Sequence, residues 1–225
     1  MKSKLIEYKE VFTNKNFIIS LFSSIIFLMV AIIINFYAGT YAAGVASNPV
    51  TDIILSNIDY YNVHYLFING SILFTIFVVF VYLQKPERIP FTVKTTALFV
   101  LIRSLFIILT HIGPFAEQQI IYQGFFSNLS FGADLFFSGH TGMPFLFALV
   151  FWKDKIIRYI FILFSLSFAV IVLMAHIHYS IDVFSAFFIT YTIFHLSEKI
   201  FVKDRKMFYE LGVEKPILDI KVKVN

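Results

Sequence analysis

The chain has 225 residues, 59% of them hydrophobic, including 30 Phe, with a mean hydropathy of +0.81. A water-soluble domain this apolar would expose large greasy patches, so composition points to an integral membrane protein. With no Cys and only scattered His there is no disulfide framework, no thiolate site and no Zn or Fe ligand cluster, and no P-loop, dinucleotide fingerprint or internal repeat is present.

Residues 1–16 form a short basic segment. Six apolar runs follow, each judged against the roughly 20 residues that a bilayer-spanning helix needs. They cover about Phe17 to Tyr37, Val63 to Leu83, Thr95 to Ile112, Gly142 to Trp152, Ile156 to Ala175 and Tyr179 to Leu196. The fourth is short, so it either starts earlier or leaves the Ser138-Gly139-His140 turn inside the outer leaflet. The runs are apolar all round, as lipid-facing helices are. The first run could be a signal peptide, since Ala42, Ala43, Ala46 and Ser47 are small enough for cleavage. Its apolar stretch exceeds the roughly 7–15 residues of a signal core, and a retained helix is expected. The loop 38–62 reads as a cap over the site or a plain connector. The aromatic loop 113–133 fits an interfacial amphipathic segment. The stretch 198–225 reads as a solvated basic tail. The expected fold is therefore all-α, a polytopic six-helix domain over residues 17–197 between two polar ends.

The pI of about 9.1 invites a nucleic-acid reading, but the placement of the charge argues against it. All but one of the 18 Lys and Arg fall on one side if six spans alternate, the exception being Arg103 within the third. The positive-inside rule then puts both termini in the cytoplasm. The strings Ser138-Gly139-His140-Thr141 and His178-Tyr179-Ser180-Ile181-Asp182 fall together at the extracytoplasmic edge.

Those strings carry the chemistry. His178 and Asp182 stand four apart, close enough on a helix to meet. A carboxylate on one imidazole nitrogen fixes the tautomer, leaves the other nitrogen as a lone-pair donor and stabilises the cation formed on attack. The plainer reading is that Asp182 complements a helix dipole. Ser138-Gly139 before a helix offers a tight turn and free N–H groups, a phosphate cradle with His140 beside it. Arg103, a cation inside a span, is a candidate phosphate ligand or a partner for Asp134 or Glu117. Thr141 and Tyr179 are candidate donors to phosphate oxygens. His176 has the wrong helical phase for Asp182, His64 and His111 lie near outer ends, and His195 lies at the inner end.

This constellation resembles the phosphatidic acid phosphatase type 2 superfamily, and within it the sphingomyelin synthase group. The likeness rests on Asp134-Leu135-Phe136-Phe137-Ser138-Gly139-His140-Thr141, on His178-Tyr179-Ser180-Ile181-Asp182-Val183 with Ala186 and Ile189-Thr190, and on Arg103 with Thr110 and Pro114. Departures include Gly132-Ala133 where that group often has Cys-Gly, and Ser180 for its Thr. The phosphatase branch's Lys and Arg-Pro string is missing, and Ile171 and Val172 stand where it has Ser-Arg. The resemblance implies a lipid phosphotransferase with His178 as nucleophile, Asp182 as its orienting group, His140 as acid and base, and substrate contacts at Arg103, Asp134, Ser138, Gly139, Thr141 and Tyr179. Its implied substrates are a phospholipid and a ceramide- or diacylglycerol-like alcohol, with no metal or cofactor required. A lipid phosphatase using water as acceptor, and a non-catalytic scaffold or transporter, are the alternatives.

Overall fold

The computed structural model describes residues 4–115 and 135–210. Its elements are α1 (Lys4–Thr13), α2 (Lys15–Gly44), α3 (His64–Gln84), α4 (Ile89–Leu109), α5 (Gly139–Val150), α6 (Lys155–Met174), α7 (Ser180–Ile200) and α8 (Val202–Glu210), with short 3-10 turns at Leu55–Asn57 and Pro86–Arg88. No strand occurs among the described residues, and the protein is an all-α polytopic membrane protein. Five helical segments are long and apolar enough to cross a membrane: α2, α3, Pro86–Leu109, α6 and α7. The fourth apolar run becomes α5, which starts earlier than Gly142 but has only 12 residues.

Local chemistry sets the boundaries. Asn14 breaks α1 from α2 and caps α2, its side chain accepting from the N–H groups of Asn16 at 2.9 Å and Phe17 at 3.2 Å. Helix α2 runs to Gly44, well past Tyr37, because Ala31, Ala38, Gly39 and Ala42 form a buried small-residue stripe. Small residues let helix backbones approach closely in lipid, and α4 is the principal neighbour of α2. Pro86 and Pro90 sit at the starts of their helical segments, where a missing N–H costs nothing.

The core is aromatic. Phe91, Phe99, Phe137, Phe147, Phe151, Phe161 and Phe208 are buried together with Leu146 and Ile193, and many of their rings meet edge to face. Lipid tails are as apolar as these side chains, so burial alone drives no association; ring geometry and polar ties specify which helices meet.

Hydrogen bonds between loops sort the helix ends into two groups. The C-terminal ends of α2 and α4 are joined by Ser47 N–H to His111 C=O at 2.8 Å, and the start of α3 meets the end of α6 through Tyr61 N–H to Met174 C=O at 2.9 Å. The starts of α5 and α7 meet through Ser138 N–H to Asp182 C=O at 2.9 Å. At the opposite end Lys85 and Arg88 both hold Asp154, and Lys94 holds Asp204 at 2.9 Å. Helix α8 folds back onto this end, burying Phe208 against Phe91 and Phe151, so the polar tail is packed at least as far as that ring. Burial raises the Asp154 carboxyl pKa, but Lys85 and Arg88 more than offset this and hold it below its ordinary value.

Candidate active site

Asp182 makes two bonds with one oxygen. It lies in the first turn of α7, fully buried, and its Oδ2 accepts from the Tyr179 backbone N–H at 3.2 Å and faces His178 Nδ1 at 3.3 Å. The helix-capping role and the imidazole-orienting role are thus one arrangement, because an exposed N–H at the helix start and the preceding His converge on the same acceptor. Its second oxygen, Oδ1, has no hydrogen-bond partner among the described residues.

The other motif is built on a strained turn. Phe137 has φ of 27°, a left-handed conformation that costs a non-glycine residue of the order of 1–3 kcal/mol and clusters at functional sites. Ser138 then caps α5, its Oγ accepting from Thr141 N–H at 3.3 Å. Gly139 lies close against Arg103: a Cβ there would lie 3.3 Å from Arg103 Nε, so the Arg side chain would have to give by a few tenths of an ångström. Arg103 Nε donates to the Phe137 carbonyl at 3.3 Å, so this intramembrane cation braces the strained turn. Gly142 is tighter still, since a Cβ would lie 2.8 Å from Thr190 Oγ and 2.9 Å from the Phe99 ring.

The two motifs come together as their sequence suggests. The Ser138–Asp182 backbone bond joins them, and both Arg103 and His178 interact electrostatically with the His140 imidazole. The His140 ring lies 4.5 Å from that of Phe67 and 6.0 Å from that of Phe168, centroid to centroid. It lines a cavity of about 360 Å³ with Arg103, Gly139, Asn35, Ser71 and Thr75 among its polar walls. Arg103 is six residues before the end of α4, so the cavity reaches about 9 Å below that end. His178 is 3% exposed and is not among the lining residues.

Asn35 is a member of this site that sequence reasoning passed over. Its Oδ1 accepts from Ser104 Oγ at 3.2 Å and it faces the cavity from α2. The signal was available: an amide inside an otherwise apolar span is costly in lipid and implies a partner.

The loop after α2 is a strap across this end. Asp52 Oδ2 accepts from Ser180 N–H at 2.6 Å, capping α7 from outside the helix, while Oδ1 takes the N–H groups of Ile54 at 2.8 Å and Leu55 at 3.1 Å. Burial alone would raise the Asp52 pKa; these bonds reverse that and hold it below the ordinary carboxylate value. The Tyr179 hydroxyl donates to Gly113 C=O at 2.9 Å and accepts from Val50 N–H at 3.2 Å, so it ties the strap to the end of α4. Thr141 gives its carbonyl to Ser165 Oγ at 2.7 Å, and its own Oγ has no partner among the described residues. His176 is buried with φ of 51° against the rings of Tyr60 and Phe115, away from the Asp182 pairing. His195 Nδ1 pairs with Glu198 at 3.2 Å, near the far end of α7. Asp134, Glu117 and most of the loop 113–133 lie outside the described residues. Among the described residues no three His, Asp or Glu cluster to hold a metal ion.

Comparison with known proteins adds one finding. No curated protein and no solved structure matches the chain. Residues 132–199, which carry both histidine motifs and all of α5 and α6, match the family model described as PAP2 superfamily C-terminal. That match supports the PAP2 superfamily and, with it, an enzyme of the lipid phosphatase or phosphotransferase type.

Proposed function

We propose that the protein transfers a phospholipid's headgroup phosphate to a lipid hydroxyl, ceramide- or diacylglycerol-like, in the extracytoplasmic leaflet. The observation that carries this reading is the shared site: His178 on a buried carboxylate, hydrogen-bonded through its helix to the loop that presents His140. With Asp182 accepting the Nδ1 proton, the His178 Nε2 lone pair attacks phosphorus and the bond from phosphorus to the leaving lipid oxygen breaks. His140 donates a proton to that oxygen. In the second half, His140 takes the proton of the acceptor hydroxyl, whose oxygen attacks phosphorus and releases His178. Arg103, beside both His140 and the strained turn, supplies positive charge to the developing phosphoryl oxygens. His178 lies outside the cavity lining, so the phosphate reaches it only when the side chains between them yield.

The transferase branch is favoured over hydrolysis by the absence of the phosphatase branch's Lys and Arg strings, with Arg103 as the remaining intramembrane cation. A cavity sunk about 9 Å below the helix end also suits an acceptor that stays in the bilayer. Orientation rests on the clustering of Lys and Arg at the opposite end. The test is turnover in membranes with a phospholipid donor, with and without an acceptor lipid. A phosphorylated acceptor product, absent in His178→Ala, supports the reading. Release of only free headgroup phosphate or inorganic phosphate, whatever acceptor is supplied, replaces it with the phosphatase. Unchanged turnover in His178→Ala overturns the nucleophile assignment.

A further inference from the structure

At the end of the bundle away from the histidines a second cavity, of about 640 Å³, opens between the α1–α2 junction, α4 and α8. Its polar walls include Asn14, Ser20, Lys94, Lys203, Lys206 and Asp204, and its apolar rim is Ile19 and Met207. Lys94 is the inner cation: its Nζ donates to both Asp204 oxygens, at 2.9 and 3.0 Å, and to Ser20 Oγ at 3.3 Å. Ser20 Oγ donates to Asp204 as well, so the one carboxylate in the wall is already engaged on both sides. Lys203 and Lys206 share a face of α8 at i and i+3, both exposed, and among the described residues neither is in an ion pair. Three ammonium groups therefore face a single, already paired carboxylate. The positive end of the 30-residue helix α2 adds to the same side of the balance.

A cavity with surplus positive charge and amide and hydroxyl walls accepts a compact, multiply charged oxyanion. Ring-stacking walls for a nucleobase are absent among its lining residues. Its rim continues onto the exposed lipid-facing residues Ile19, Phe22 and Ile26 of α2, a track for an acyl chain. We propose that this cavity binds a phosphate group, borne by an anionic lipid headgroup or free in solution, at the end of the bundle opposite the catalytic histidines. The site is separate from the phosphotransfer reading and stands or falls without it.

The test uses the full chain in nanodiscs. Thermal unfolding is compared in phosphatidylcholine alone, in phosphatidylcholine with a minor fraction of phosphatidylglycerol, and in phosphatidylcholine with inorganic phosphate in the buffer. Occupation raises Tm by about 3 °C in the arm that supplies the ligand. The double variant Lys203→Gln/Lys206→Gln loses that rise, while Lys155→Gln/Lys199→Gln, at the same end but outside the cavity, keeps it. A rise with phosphatidylglycerol only assigns the site to a lipid headgroup, and a rise with inorganic phosphate assigns it to the free anion. No rise in either arm, or a rise that both double variants change equally, overturns the proposal. Should the first double variant fold poorly in phosphatidylcholine alone, native mass spectrometry of Lys206→Gln replaces it. A single anionic lipid or phosphate adduct retained by the native chain and lost from Lys206→Gln supports the site, and equal retention of each by both proteins overturns it.

Discussion

At the end away from the histidines, Lys85 and Arg88 share Asp154, Lys94 holds Asp204 and Arg205 holds Glu198 at 2.9 Å. At the histidine end the ties are Ser180 N–H to Asp52, the Tyr179 hydroxyl to Gly113, Ser47 N–H to His111 and Ser138 N–H to Asp182 C=O. Among the described residues, the ties named at the first end are ion pairs between side chains, and those named at the second are hydrogen bonds to backbone groups, beside the His178–Asp182 pair at 3.3 Å. The difference follows from what each end has to do. A fixed ion pair neutralises the cation in it, whereas a bond to a carbonyl leaves the charge of an Arg intact. Arg103 braces the Phe137 carbonyl, so at this end a cation serves the shape of a turn.

Substitutions at the two ends should break differently. Asp182→Asn keeps the size of the side chain and the backbone bond to Ser138 but removes the charge facing His178. It is expected to lower kcat by about a thousandfold with little change in KM, measured on folded protein in membranes. Asp154→Asn, at the stapled end, should do the reverse. It leaves Arg88, 3% exposed, with Glu87 at 3.5 Å but without the Asp154 charge, and costs about 2 kcal/mol of stability, with turnover per folded molecule unchanged. Equal loss of turnover in both would erase the distinction between the ends. Gly142→Ala sharpens it from within the core: the added methyl meets Thr190 and Phe99 and should cost about 2 kcal/mol in thermal unfolding, with activity falling as α5 shifts.

The smallest expected effect is that of Asp52→Asn, about 1 kcal/mol, because one external cap of α7 is weakened. It carries a pH signature. The folded Asp52 carboxyl titrates below its ordinary value, so its contribution is complete above the unfolded carboxylate pKa and is lost as pH falls through the folded one. Unfolding midpoints of the native protein and the variant should therefore converge as the pH drops below about 4.

Much of this was legible in the sequence because it is local. Apolar runs mark the helices, the four-residue step from His178 to Asp182 marks their pairing, and Ser138 marks the start of α5. The strap was not legible, since Asp52 caps a helix 128 residues away and nothing around Asp52 signals that partner. The extension of α2 to Gly44 was missed for a related reason. Its last turns are Ala, Gly, Thr and Tyr, weak in hydropathy, and only the small-residue face of Ala38, Gly39 and Ala42 is buried. Arg103 was visible as an intramembrane cation, but its bond to the Phe137 carbonyl depends on the left-handed turn, which no residue type at that position announces. Helix α8 reads as a charged tail because its anchoring ring, Phe208, stands among Lys and Arg.

The length of α5 has a consequence for how the protein is made. Twelve residues of helix span about 18 Å, against a hydrocarbon core of about 30 Å. On the six-span reading the remaining depth would fall to non-helical residues such as Phe137 and Phe151, both buried within the protein, where such backbone is tolerated. Such a segment cannot partition into lipid by itself as it leaves the ribosome. On that reading it would go in with α6, its principal packing partner, as a helical hairpin. His140, in the first turn of α5, would then be delivered to its place by the helix that follows it.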